Sequence, residues 1–128
     1  MSAKGHILYI EDDSEMITLV RLIMERNGYR FTGTTSGQEG WELIQSEHPD
    51  LVLLDLMMPD VDGWQVYQNI RSHPQTRDIP VVIITAKAQD IDKVLGLHVA
   101  QVDDYITKPF RPEDLVASVE KLLNRQAD

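Results

Sequence analysis

Three acids, a hydroxyl and an amine carry the chemistry this chain could perform. Glu11 and Asp12 follow the apolar run Ile7-Leu8-Tyr9-Ile10, and Asp55 follows Leu51-Val52-Leu53-Leu54. Thr85 comes after Val81-Val82-Ile83-Ile84, and Lys108 after Asp104-Tyr105-Ile106-Thr107. Carboxylates gathered at one place repel one another unless a cation relieves them. Magnesium suits them, a hard ion that grips one or two carboxylates together with a phosphate. A carboxylate is also a competent nucleophile toward phosphorus and forms an acyl phosphate. That barrier falls mainly when the donor is held in line and charge on the equatorial oxygens is neutralised. Magnesium and the Lys108 ammonium can cover two of those oxygens, and the Thr85 hydroxyl can donate to the third. The set reads as a magnesium-dependent phosphoryl acceptor.

Each residue alone has a blander explanation. An acid at a strand end, such as Asp12 or Asp13, is often only the N-cap of the next helix. Asp55 could be a turn residue, Thr85 a β-branched strand residue, and Lys108 solvated surface. What favours chemistry is the combination of independent positions, each at the end of a short apolar run. In an open parallel sheet those ends share one edge, where the ligand crevice lies.

The elements that would bring them together alternate strand and helix five times. Expected strands cover about 6–11, 30–35, 51–55, 81–85 and 103–107, and expected helices about 14–27, 37–46, 63–72, 89–97 and 112–124. Ile17, Val20 and Met24, beside Leu19, Leu22 and Ile23, form a broad apolar stripe at helical spacing. Gly28 stops that helix, and Pro112 sits where the first turn of the last helix tolerates proline. Strands three and four are apolar without alternation, as strands covered on both faces are. The expected fold is a flavodoxin-like, doubly wound α/β domain with a five-stranded parallel sheet, (βα)5. Periodicity does not give strand order; 2-1-3-4-5 is the common one for five such units.

Composition narrows the class. A chain of 128 residues, 42% hydrophobic and 26% charged, is expected to form a single domain over 1–128 with its core over about 6–125 and no output domain. No run approaches the ~18 apolar residues of a membrane span, and no apolar leader precedes the first strand, so a cytoplasmic protein is expected. Cysteine is absent, which removes disulfides and thiolate metal sites. The four histidines show no ligand spacing. A net charge of −9 argues against nucleic acid as a direct partner and for a cation or a basic protein surface.

With these residues in view, the chain resembles a response-regulator receiver domain of two-component signalling, the CheY-like superfamily, over essentially its whole length. Four segments carry the resemblance: Ile7 to Asp13, Leu51 to Gly63, Ile83-Ile84-Thr85-Ala86, and Asp103-Asp104-Tyr105-Ile106-Thr107-Lys108-Pro109-Phe110. It implies that Asp55 is the phosphoacceptor, with magnesium (manganese as a substitute) held by Asp12 and Asp55 directly, by Glu11 through water and by the Met57 backbone carbonyl. A sensor histidine kinase or phosphotransfer protein is the implied donor. The domain would catalyse only its own phosphorylation and dephosphorylation, and would not otherwise be an enzyme. Phosphorylation would draw in Thr85 and let Tyr105 swing inward, changing the surface of the fourth helix, fifth strand and fifth helix toward an effector protein or relay partner. The Lys108–Pro109 bond is expected to be cis. Ala100-Gln101-Val102 departs from the small pair common in the family, and Ser118 and Glu120 stand where receivers of winged-helix transcription factors usually carry arginines. An aspartate-nucleophile phosphohydrolase would want a second acid at Met57, and a flavodoxin would not place Glu11-Asp12-Asp13 in its phosphate loop.

Overall fold

The computed structural model describes residues 4–56, 58, 63–86 and 103–127. Five strands, β1 (His6–Ile10), β2 (Arg30–Thr34), β3 (Leu51–Asp55), β4 (Val81–Thr85) and β5 (Asp104–Thr107), form one parallel sheet in the order β2-β1-β3-β4-β5. Four helices are described: α1 (Ser14–Arg26), α2 (Gly37–Glu47), α3 (Gly63–Ser72) and α4 (Pro112–Ala127). The helix expected over 89–97 lies outside the described residues, as do Gln101, Met57 and residues 59–62. The last helix runs three residues beyond the expected end at Asn124. None of the described helices is long and apolar enough to cross a membrane.

Local chemistry sets the helix boundaries. Asp13, extended at its backbone, accepts from the Glu15 N–H at 2.9 Å and so caps α1. Ser36 does the same for α2 through the Glu39 N–H at 3.1 Å. Just past α1, Gly28 takes φ +90°, a conformation glycine adopts without a Cβ penalty.

Apolar strands divide their side chains between two cores because successive residues point to opposite faces. Ile7, Tyr9, Leu51, Leu53, Val82 and Ile84 pack with Ile17, Val20 and Met24 of α1 and Leu115, Val119 and Leu122 of α4. Leu8, Ile10, Val52, Leu54, Val81 and Ile83 meet Ile44 of α2 and Val66, Tyr67 and Ile70 of α3. Each such side chain, fully buried, contributes about 1.5–3 kcal/mol. The stripe on α1 is narrower than expected: Leu19 and Leu22 are half exposed, because the arc covered by the sheet and α4 takes Ile17, Val20, Ile23 and Met24 and leaves its flank open.

A second network ties the opposite edge of the sheet. Arg71 at the end of α3 donates to the Arg77 and Ile79 carbonyls and to Asp103, which in turn accepts from the Val81 N–H. It fixes the starts of β4 and β5 relative to α3, at the end away from the acids. His6, buried at that edge too, bonds Thr32 Oγ1 at 2.7 Å, a packing role consistent with the lack of metal-ligand spacing.

Candidate functional site

Parallel register brings the strand ends level. Ile10 pairs with Thr34 and Leu54, Asp55 with Ile84, and Thr85 with Thr107. Glu11 leaves β1 with its N–H still bonded to the Thr34 carbonyl, and the Lys108 N–H bonds the Thr85 carbonyl at 2.8 Å. The sheet hydrogen bonds therefore hold these backbone positions level at one edge.

Ligand oxygens of Glu11, Asp12 and Asp55 lie within 4.8 Å of one another. Glu11 and Asp55 are buried and Asp12 is exposed, so the cluster is walled on one side and open on the other. Lys108 bridges its floor, donating to Glu11 Oε1 at 2.7 Å and to Asp55 Oδ2 at 3.3 Å across 97 and 53 residues of sequence. Thr85 is wholly buried, and its Oγ1 has no hydrogen-bond partner among the described residues. Asp13 stays out of the cluster because its carboxylate caps α1. Of the expected site residues, the structure gathers Glu11, Asp12, Asp55 and Lys108, and the register sets Thr85 at the same edge of the sheet. Tyr105, half exposed on β5, stands apart from them, and Met57 lies outside the described residues. The Lys108–Pro109 bond is cis, as expected.

Crowding shows in the electrostatics. Burial pushes the Glu11 carboxyl up to about 8, the neighbouring Asp55 carboxyl adds to this, and the Lys108 ammonium opposes it. Burial disfavours the Lys108 charge, but the Glu11 and Asp55 carboxylates outweigh it and hold the ammonium above its ordinary range. One ammonium is thus shared by two carboxylates, with a third beside them. Among the described residues no donor reaches the buried Glu11 Oε2. An all-oxygen donor set with a surplus of negative charge and an unsatisfied buried oxygen fits a divalent hard cation, magnesium or manganese.

Two contributors were not legible as functional. Gly63 opens α3 directly against β3: a Cβ there would stand 2.4 Å from the Asp55 carbonyl oxygen and 2.9 Å from Leu56 Cα. In the sequence it closes a polar turn at the end of the Leu51 to Gly63 segment, with no role of its own assigned. Tyr9 sits in β1 facing the same core as Leu53, and a tyrosine in an apolar strand looks like packing. Ser118, by contrast, explains a departure noted in the sequence: it is buried and donates to Asp104 at 2.6 Å, alongside Lys121 at 3.1 Å.

Comparison with known proteins agrees with this arrangement. The family profile described as response regulator receiver domain matches residues 7–120. The alkaline phosphatase synthesis transcriptional regulatory protein PhoP of Bacillus subtilis is 39% identical over 119 residues, covering 93% of this chain and 48% of that protein. The DNA-binding dual master transcriptional regulator RpaA of Synechocystis is 43% identical over 119 residues, again 93% of this chain and 49% of the relative. This chain spans about half the length of both. Such names do not support the expectation that nucleic acid is no partner. Among solved structures, the N-terminal domain of a response regulator receiver protein from Methanoculleus marisnigri superposes with a TM-score of 0.71 at 35% identity, covering 91% of this chain and 94% of that one. The receiver domain of a sensor histidine kinase from Pseudomonas aeruginosa, solved with a magnesium ion coordinated in its active-site cleft, gives 0.84 at 26% identity, covering 94% and 98%.

Proposed function

This chain belongs to the response regulator receiver domain family of two-component signalling, and on that premise we propose that Asp55 is its phosphoryl acceptor, with Glu11, Asp12, Thr85 and Lys108 as the machinery around it. The observation that carries the proposal is the meeting of three carboxylates within 4.8 Å, with Lys108 bridging two of them. The donor would be a phosphohistidine on a sensor kinase or phosphotransfer protein, and the setting cytoplasmic.

In the reaction, an Asp55 carboxylate oxygen forms the new P–O bond as the donor's P–N bond breaks, and the leaving imidazole nitrogen keeps the electron pair. Glu11, Asp12, Asp55 and the Met57 carbonyl would hold magnesium, which when bound supplies positive charge to the phosphoryl oxygens. Lys108, already 3.3 Å from Asp55, stays beside the acceptor and balances a second oxygen. Thr85 Oγ1, buried without a partner among the described residues, is the hydroxyl to donate to a third. Satisfying that hydroxyl at the phosphoryl group gives the phosphorylated state contacts the resting state lacks. It biases β4 and β5, and with them Tyr105, toward a second packing that an effector or relay partner can read.

Intact-protein mass after incubation with acetyl phosphate tests the acceptor. The expected result is one magnesium-dependent phosphoryl adduct that Asp55→Asn abolishes. An adduct that survives Asp55→Asn would refute the assignment.

A further inference from the structure

Among the described residues, two atoms beside the acidic cluster have no partner. Tyr9 is 0% exposed, and its hydroxyl closes no hydrogen bond of acceptable geometry. Glu11 is 1% exposed, and its Oε2 has no donor, since Lys108 serves Oε1. The residues are two apart where β1 runs into the site, so both side chains leave the sheet on the same face. A buried donor without an acceptor therefore neighbours a buried acceptor without a donor. Each is costly alone, and together they are complementary. Burial, and then the nearby Glu11 carboxylate, keeps the phenol protonated, as a donor requires. The ring itself is fixed edge-on against Phe31, with centroids 6.4 Å apart.

We propose that Tyr9 is a positioning residue for the acidic site: once the cation is bound, its hydroxyl donates to Glu11 Oε2 and orients that carboxylate, Lys108 holding the other oxygen. The proposal rests on the phosphoacceptor reading of the same site. A carboxylate gripped at both oxygens presents a fixed plane and a fixed charge toward Asp12 and Asp55. Phenylalanine would fill the same volume and leave Oε2 free to turn. Tyr9 touches no reacting atom; it acts through Glu11, as the partners of metal-site carboxylates do.

The test is magnesium affinity of the full chain, measured by calorimetry for wild type, Tyr9→Phe, Glu11→Gln and the double variant, with melting temperatures taken without metal. The expected result is an affinity loss of about tenfold in Tyr9→Phe, with a metal-free melting temperature equal to or above wild type because an unsatisfied buried hydroxyl has gone. In the Glu11→Gln background the same change should cost nothing further. Affinity within about twofold of wild type, or an equal loss in both backgrounds, would overturn the proposal. So would a metal-free Tyr9→Phe that melts well below wild type, since the hydroxyl would then be holding the fold. A wild-type chain that neither binds magnesium nor takes a phosphoryl group from acetyl phosphate would overturn the phosphoacceptor reading along with it.

Discussion

Replacing Gly63 by alanine probes how closely α3 must approach the acceptor strand. The added Cβ would lie 2.4 Å from the Asp55 carbonyl oxygen, 2.9 Å from Leu56 Cα and 3.3 Å from the Asp55 carbonyl carbon. All three are backbone atoms of the segment that carries the acceptor, so no rotamer change relieves the contact. Either α3 retreats by about 1 Å or the Asp55 carbonyl moves. A gap of that size forfeits roughly a quarter to a half of each contact well along the interface. The interface buries Val66, Tyr67 and Ile70 against the sheet. Overpacking of this kind costs about 1–3 kcal/mol; alanine's better helix propensity offsets at most ~1 kcal/mol, and less at a first turn. A net loss of about 1–2 kcal/mol corresponds to roughly 4–8 °C in a domain of this length. Gly40→Ala is the control. Its Cβ would approach Ile10 Cδ1 at 2.4 Å and Cγ1 at 2.6 Å, atoms of a buried side chain rather than backbone, within a helix that gains propensity. Thermal unfolding by circular dichroism, with acetyl-phosphate labelling rates beside it, should show Gly63→Ala melting lower than Gly40→Ala and labelling more slowly. Gly63→Ala within about 2 °C of wild type, or no worse than Gly40→Ala, would refute the close-approach argument.

Other expectations follow from the charges. Because the folded-state Glu11 carboxyl is raised from its ordinary 4.5 to about 8, the folded chain holds a proton the unfolded chain has lost between those values. Metal-free stability should therefore fall as pH rises through that window, and magnesium should restore it while releasing protons; urea titrations at pH 5 and 8 check the sign. Lys108→Ala removes the cation that Glu11 and Asp55 share, so magnesium affinity should rise several-fold while adduct formation drops at least tenfold, as calorimetry and mass spectrometry would show. Ser118→Ala strips a charge-assisted hydrogen bond from Asp104 and should cost about 1–2 kcal/mol in urea unfolding. Burial raises the Asp104 carboxyl, but bonds from Ser118, Lys121 and the Tyr105 N–H outweigh it and hold it below the ordinary range. Its stabilisation is present above that range and lost as pH falls, so the deficit of Ser118→Ala should shrink in acid.

The residue types of the site were legible because each is a local event: a short apolar run, then a polar residue where the strand must end. Glu11, Asp12, Asp55, Thr85 and Lys108 could all be found this way, and the alternation of runs with helical stripes implied a common edge. Which acids belong to the cluster was not local. Asp12 and Asp13 are adjacent and chemically alike; only the path of the chain into α1 assigns Asp13 to the cap and Asp12 to the acidic cluster. The hydrophobic pattern of α1 likewise marked its apolar side, but how wide an arc the neighbours cover is set by the sheet and α4, and Leu19 and Leu22 stayed exposed. Gly63 and the Lys108 bridge share that character. Their roles are distances, 2.4 Å to a carbonyl and 2.7 Å across 97 residues. Sequence determined what each strand end offers, since propensity and polarity act between near neighbours. Tertiary structure decided which offers meet, because register and packing act between residues that only the folded sheet brings into contact.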